Sequence, residues 1–136
     1  MTKADDKRLL SKARKAGQDY ATNQLESGYF SDYVAQMVHE AEKDPEHHWS
    51  VTNKTEAMRA AKNTLVDLGH DISRDLDTGY ALRQAGISIP RDSLRSAQDL
   101  HDAFWDGLHD VLGRKTVQSW LADEILLRAR EARGEA

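Results

Sequence analysis

The chain contains no cysteine, which excludes disulfide bridges and thiolate metal sites. A reducing or redox-indifferent compartment, the cytoplasm, is therefore expected. Only two of the 136 residues are proline, so long stretches are free to run as helix. The longest strongly apolar run is Ile125-Leu126-Leu127, far short of the roughly 20 apolar residues that a membrane span requires. The first residues are basic, but no apolar stretch follows them and Asp5 and Asp6 interrupt them, so neither a secretory signal nor a transit peptide fits. The sequence also lacks a Gly-rich phosphate loop, a serine nucleophile elbow, a metalloprotease helix motif and any repeat of solenoid period.

The residues that are present are helix formers in helical register. Ala, Leu, Arg, Lys, Glu and Gln dominate long stretches. The length suits one domain, and the spacing predicts an all-α fold: a compact bundle of about five helices with short connections, spanning 1–136. The first helix is expected from about Ala4 to Glu26, with Thr2 and Asp5 as a capping pair and Leu9, Ala13, Ala16 and Tyr20 on the buried face. Ser27-Gly28 reads as a turn. The second helix, Tyr29 to Lys43, carries the stripe Phe30, Tyr33, Val34, Met37, Val38 and Ala41, and Asp44-Pro45 ends it. The connection that follows offers Trp49 to the core.

Asn53 with Glu56 forms a capping box for a long third helix. Its seam of Met58, Ala61, Leu65, Leu68, Ile72, Leu76 and Gly79 holds alternating steps of three and four, so one helix is expected to about Ala85, capped by Gly86. Gly69 and Gly79 are the positions where it would kink. After Ile87-Ser88-Ile89-Pro90, a fourth helix places Leu94, Ala97, His101, Phe104, Leu108 and Val111 on one side. A fifth, with Thr116 as N-cap, buries Val117, Trp120, Leu121, Ile125 and Ala129, and the tail from Arg133 is expected to fray.

The net charge of −4 is unevenly spread. Residues 1–17 hold six Lys/Arg against two Asp, whereas residues 18–113 hold eight basic residues against seventeen acidic ones. Arg8, Lys12 and Lys15 form a basic stripe on the first helix. Asp67, Asp71 and Asp75 stand four apart on the third helix. Asp99, Asp102, Asp106 and Asp110 climb the fourth, with no Lys or Arg between Arg95 and Arg114. Like charges four apart on a helix destabilise it by about 0.2–0.5 kcal/mol per pair. Such a ladder has three readings: a solvated face, a face neutralised by the basic stripe, or a binding surface for a basic partner.

Three His-Asp doublets, His70-Asp71, His101-Asp102 and His109-Asp110, add imidazole to carboxylate, a combination that suits divalent transition metals. His101 sits on an apolar stripe and reads as a core histidine. The order His39, His70-Asp71, then Asp106 or Asp110, with an apolar approach from Ala60-Ala61 to Leu68-Gly69, resembles the HD-domain phosphohydrolases, an all-helical metal-dependent superfamily. The resemblance implies a phosphohydrolase whose metal is held by His39, His70, Asp71 and Asp106. It covers four positions, and Ile72-Ser73-Arg74 stands where the family has Gly-Lys after the doublet. Separately, residues Gly113 to Trp120 resemble in outline the lead into a helix-turn-helix recognition helix, which implies nucleic-acid binding. Asp123 and Glu124 on that helix, and the aspartates before it, oppose phosphate contact.

The reading these residues favour is a non-enzymatic protein that binds another protein through its acidic face and needs no cofactor. The expected partner has a basic surface, and a second copy of the chain is a further candidate. Small, cysteine-free helical chains of this kind are similar in type to stoichiometric inhibitors and adaptors, such as phage- or plasmid-encoded anti-CRISPR proteins and immunity proteins. A metal-dependent phosphohydrolase and a nucleic-acid-binding protein are the alternatives.

Overall fold

The computed structural model describes residues 3–43, 51–88 and 94–135. Among them are six helices and no strand: α1 (Lys3–Glu26), α2 (Gly28–Lys43), α3 (Lys54–Asp75), α4 (Thr78–Gln84), α5 (Leu94–Leu112) and α6 (Lys115–Ala132). The all-α expectation holds. Thr2, Asp44-Pro45, Trp49 and Ile89-Pro90 lie outside the described residues, as does the side chain of Leu94. No described helix is long and apolar enough to cross a membrane.

The sixth helix arises because the long third helix is two. Leu76 N–H still bonds the Ile72 carbonyl at 2.9 Å, but Asp77 takes an extended conformation (φ −82°, ψ 102°) and its carboxylate accepts the Tyr80 N–H at 3.1 Å. An Asp that caps a new helix replaces the hydrogen bond lost at the break. The hydrophobic period cannot reveal this, because Ile72, Thr78 and Leu82 are all buried on either side of it. The break falls at 76–77, and neither Gly69 nor Gly79 is the point of interruption. Gly86 closes α4 as expected: at φ +80° it lets Ile87 N–H reach the Leu82 carbonyl and its own N–H reach that of Arg83, both at 3.0 Å.

The described residues form two compact units. The first comprises residues 1–23 and 69–112, and the second residues 24–68 and 113–136. In the first, α1 and α5 approach closely through two glycines. A Cβ on Gly17 would overlap the Phe104 carbonyl, and one on Gly107 would overlap the Arg14 carbonyl. Ala13 and Ala21, one turn either side of Gly17, are fully buried. The core of this unit is Phe104, Leu108, Leu100, Val111, Leu82 and Ile87, with Tyr20 tilted against Phe104 at 6.0 Å between ring centroids. Trp105 meets Phe104 edge-on and donates its indole N–H to the hydroxyl of Thr78 at 3.1 Å, tying α4 to α5.

In the second unit, α2 packs on α6, burying Phe30, Val34, Val38 and Ala41 on one side and Leu121, Ala122, Ile125 and Ala129 on the other. Leu65 and Ala61 of the α3 seam are buried here, while Met37 and Leu68 are half-buried. The Asn53–Glu56 box forms: Asn53 Oδ1 accepts Glu56 N–H at 2.9 Å, and the Glu56 carboxylate accepts from Thr52 N–H, Thr52 Oγ1 and Asn53 Nδ2. Ser27 accepts Phe30 N–H at 3.2 Å, so it caps α2.

Other expectations also need correction, among them that Val117 is buried, since it is half-buried. The α6 cap is Arg114, extended and without a side-chain cap bond, and Thr116 lies inside the helix. Trp120 is 45% exposed, because the buried stripe of α6 is centred on Leu121, Ala122 and Ile125, a rotation that carries Trp120 to the side. Tyr33, beside buried Val34, is exposed for the same reason.

The tail from Arg133 is anchored. Gly134 (φ +76°) closes a Schellman motif, with Glu135 N–H on the Arg130 carbonyl at 2.8 Å. The Arg133 guanidinium donates to Glu42 at 2.9 Å and to the Val51 carbonyl at 3.0 Å. Burial alone would lower the Arg133 pKa, but the hydrogen bonds to Glu42 and Glu135 outweigh it and the net shift is upward.

Candidate functional site

The spacing of Asp99, Asp102, Asp106 and Asp110 puts them on one face of α5, and the side of that face against α1 is held by the glycine crossing. Asp110 is the inner rung. Arg14 of α1 lies 3.6 Å from it, and Gln18 donates to it at 3.2 Å. The other three carboxylates are exposed. Asp102 accepts a bond from Gln98, one turn away, at 2.8 Å. Among the described residues no cation pairs with Asp99, Asp102 or Asp106. They border a cleft of about 360 Å³ whose other wall is Leu10, Ser11 and Arg14 of α1, with Ala103 between them. Leu10 is itself 36% exposed, so the cleft combines three carboxylates with an apolar ledge.

The contrast with α3 is informative. There Asp71 and Asp75 both pair with Arg74, at 3.2 and 3.3 Å. The hydrogen bond with Asp75, followed by the charges of Asp75 and Asp71, raises the Arg74 pKa above its ordinary value. Asp71 and Asp75 are thus compensated on their own helix, whereas among the described residues the outer rungs on α5 are not. Among the described residues no ion pair joins Arg8, Lys12 or Lys15 to the ladder, and the α1 cation that pairs with it is Arg14. Arg14 lies off that stripe, next to buried Ala13 and three residues before the closely packed Gly17. Its position four before Gln18 is the signal in the sequence.

Of the residues considered for a metal, Asp106 belongs to this acidic face and His39, His70 and Asp71 do not. His70, Asp71 and Asp106 are all exposed and belong to the first unit, and His39 is exposed on α2 in the second. Among the described residues no group of three or more His, Asp and Glu is gathered where it could hold a metal ion. His109 lies tilted against Trp105 at 6.0 Å, and His101 is half-buried.

Part of the stretch considered for nucleic acid, Gln118 and Ser119, is bonded to α3. Gln118 donates to the Met58 carbonyl at 2.8 Å, and Lys54 donates to the carbonyl and hydroxyl of Ser119 and to Asp123. These bonds hold Gln118, Ser119 and Asp123 against α3.

No family model matches the chain, and no curated protein or solved structure matches it either.

Proposed function

We propose that the chain acts by binding another protein, as a stoichiometric inhibitor or adaptor in the cytoplasm, and that the outer face of α5 is the docking surface for a basic partner. The observation that carries this reading is the state of Asp99, Asp102 and Asp106: exposed, side by side, and in no ion pair among the described residues, beside the exposed Leu10. A helix that stacks like charges is destabilised by them, and a basic partner would relieve that repulsion on binding. Complementary charge also speeds encounter and rejects acidic competitors. The Leu10 ledge supplies apolar area that charge alone would not.

Differential capture tests the reading. Immobilised wild-type chain and the Asp102→Asn/Asp106→Asn variant are exposed to the same cell extract. A basic protein retained in stoichiometric amount by the wild type, released by raising salt to about 0.5 M and lost from the variant, is the expected result. Equal retention by both forms would remove the α5 face from the account.

A further inference from the structure

A second surface lies in the second unit and shares no residue with the α5 ladder. α2 and α6 leave between them a groove of about 310 Å³. Its floor is Phe30, Val34 and Leu121, each nearly inaccessible, and Trp120 stands at its side with almost half its surface open. Glu26 and Glu124 border it. Among the described residues neither carboxylate has a hydrogen bond or ion pair. The cation that also lines the groove, Arg128, is paired with Glu131 at 3.2 Å.

An apolar floor beside an open indole would admit any greasy side chain, but the carboxylates narrow the choice. A long basic side chain lays its methylene stem on apolar surface and keeps its charged head at the edge. Here the edge offers two carboxylates, unpaired among the described residues, and an indole almost half open, whose ring attracts a cation through its quadrupole. We propose that this groove receives a lysine or arginine side chain from an otherwise apolar segment of a partner protein. This goes beyond the α5 reading and does not rest on it, since the groove shares no residue with that face.

The test uses the full chain, labelled with nitrogen-15, and two synthetic octapeptides, one alternating arginine with leucine and the other glutamate with leucine. The arginine peptide should shift the amide signals of 25–34 and 120–128 and the Trp120 indole signal. The glutamate peptide should leave them in place. Glu26→Gln/Glu124→Gln should weaken binding about threefold to tenfold, and Trp120→Ala about fivefold. Asp102→Asn/Asp106→Asn should leave shifts in the groove intact, which keeps failure here separate from failure of the α5 reading. The Gln variant, which keeps the size of one exposed and one half-buried side chain, guards against misfolding of the Trp120 variant. The proposal is overturned if the groove signals respond equally to both peptides, if only signals of the α5 face respond, or if the Gln variant binds as the wild type does. It is equally overturned if they shift with protein concentration alone, which would mean that a second copy covers the groove.

Discussion

Gly17 and Gly69 are both helical glycines, yet a methyl group would have opposite effects at the two. At Gly69 an added Cβ meets Leu112 Cδ1 at 3.6 Å and His109 Cε1 at 3.9 Å, ordinary van der Waals distances. Gly69→Ala should therefore stabilise the protein by about 0.5–1 kcal/mol through the backbone freedom it removes from the unfolded chain. At Gly17 and Gly107 the Cβ would strike a backbone carbonyl of the facing helix, which no rotamer change can relieve. Gly17→Ala or Gly107→Ala should destabilise by about 1–3 kcal/mol or more. Urea midpoints of the three variants check this, and a neutral Gly17→Ala would mean that α1 and α5 are not held this closely. Arg133 is a third residue whose role is decided by its surroundings. Glu42 keeps only 6% of its side chain accessible and Arg133 22%, so Arg133→Ala would leave a buried carboxylate without its ion pair. A loss of about 3 kcal/mol is expected, the lower end for a broken buried pair because the guanidinium retains some solvent. A loss of only a few tenths would restore the view of a frayed tail.

At the scale of elements, caps decide where helices begin and end. Asp77→Ala should melt α4 selectively, at about 0.5–2 kcal/mol, seen as faster amide exchange across 78–84 with 54–75 little changed. At the start of α3, the hydrogen bonds from Thr52 to Glu56, side chain first and backbone second, hold the Glu56 pKa below its ordinary 4.5. A carboxylate with a depressed folded pKa gives its stabilisation in full above the unfolded value and loses it as pH falls through the lower folded value. Acidification below about 4.5 should therefore loosen this helix start, and Thr52→Val should move the Glu56 carboxyl titration, followed by carbon-13 NMR, upward. Five of the six helices were legible in the sequence, because Phe30-Val34-Val38 on α2 and Phe104-Leu108-Val111 on α5 repeat at the helical period. The break before α4 was not, since Asp77 interrupts the backbone without interrupting the apolar pattern. Trp120 was misplaced because a stripe reading cannot separate neighbouring positions 100° apart at the edge of a buried face.

At the scale of the molecule, the acidic face was legible in part. The run from Asp99 to Asp110 could be read directly, but its division into an inner rung held by Arg14 and Gln18 and three open outer rungs depends on the α1–α5 approach, which rests on two glycines with no period of their own. Removing two of the outer charges should not weaken the fold: Asp102→Asn/Asp106→Asn should melt at or slightly above the wild-type temperature, since about 0.2–0.5 kcal/mol of like-charge repulsion is relieved per pair. That places any loss of function in the interface. The most direct test is the association rate constant of the captured partner with wild type and this variant over a range of salt concentration. The wild-type rate should fall steeply as salt rises, and the variant should start several-fold slower at low salt and converge with the wild type near 0.5 M, where charges more than about 4 Å apart are screened. Coincident rates at every salt concentration, with equal stability, would contradict the claim that the α5 face is where this protein binds.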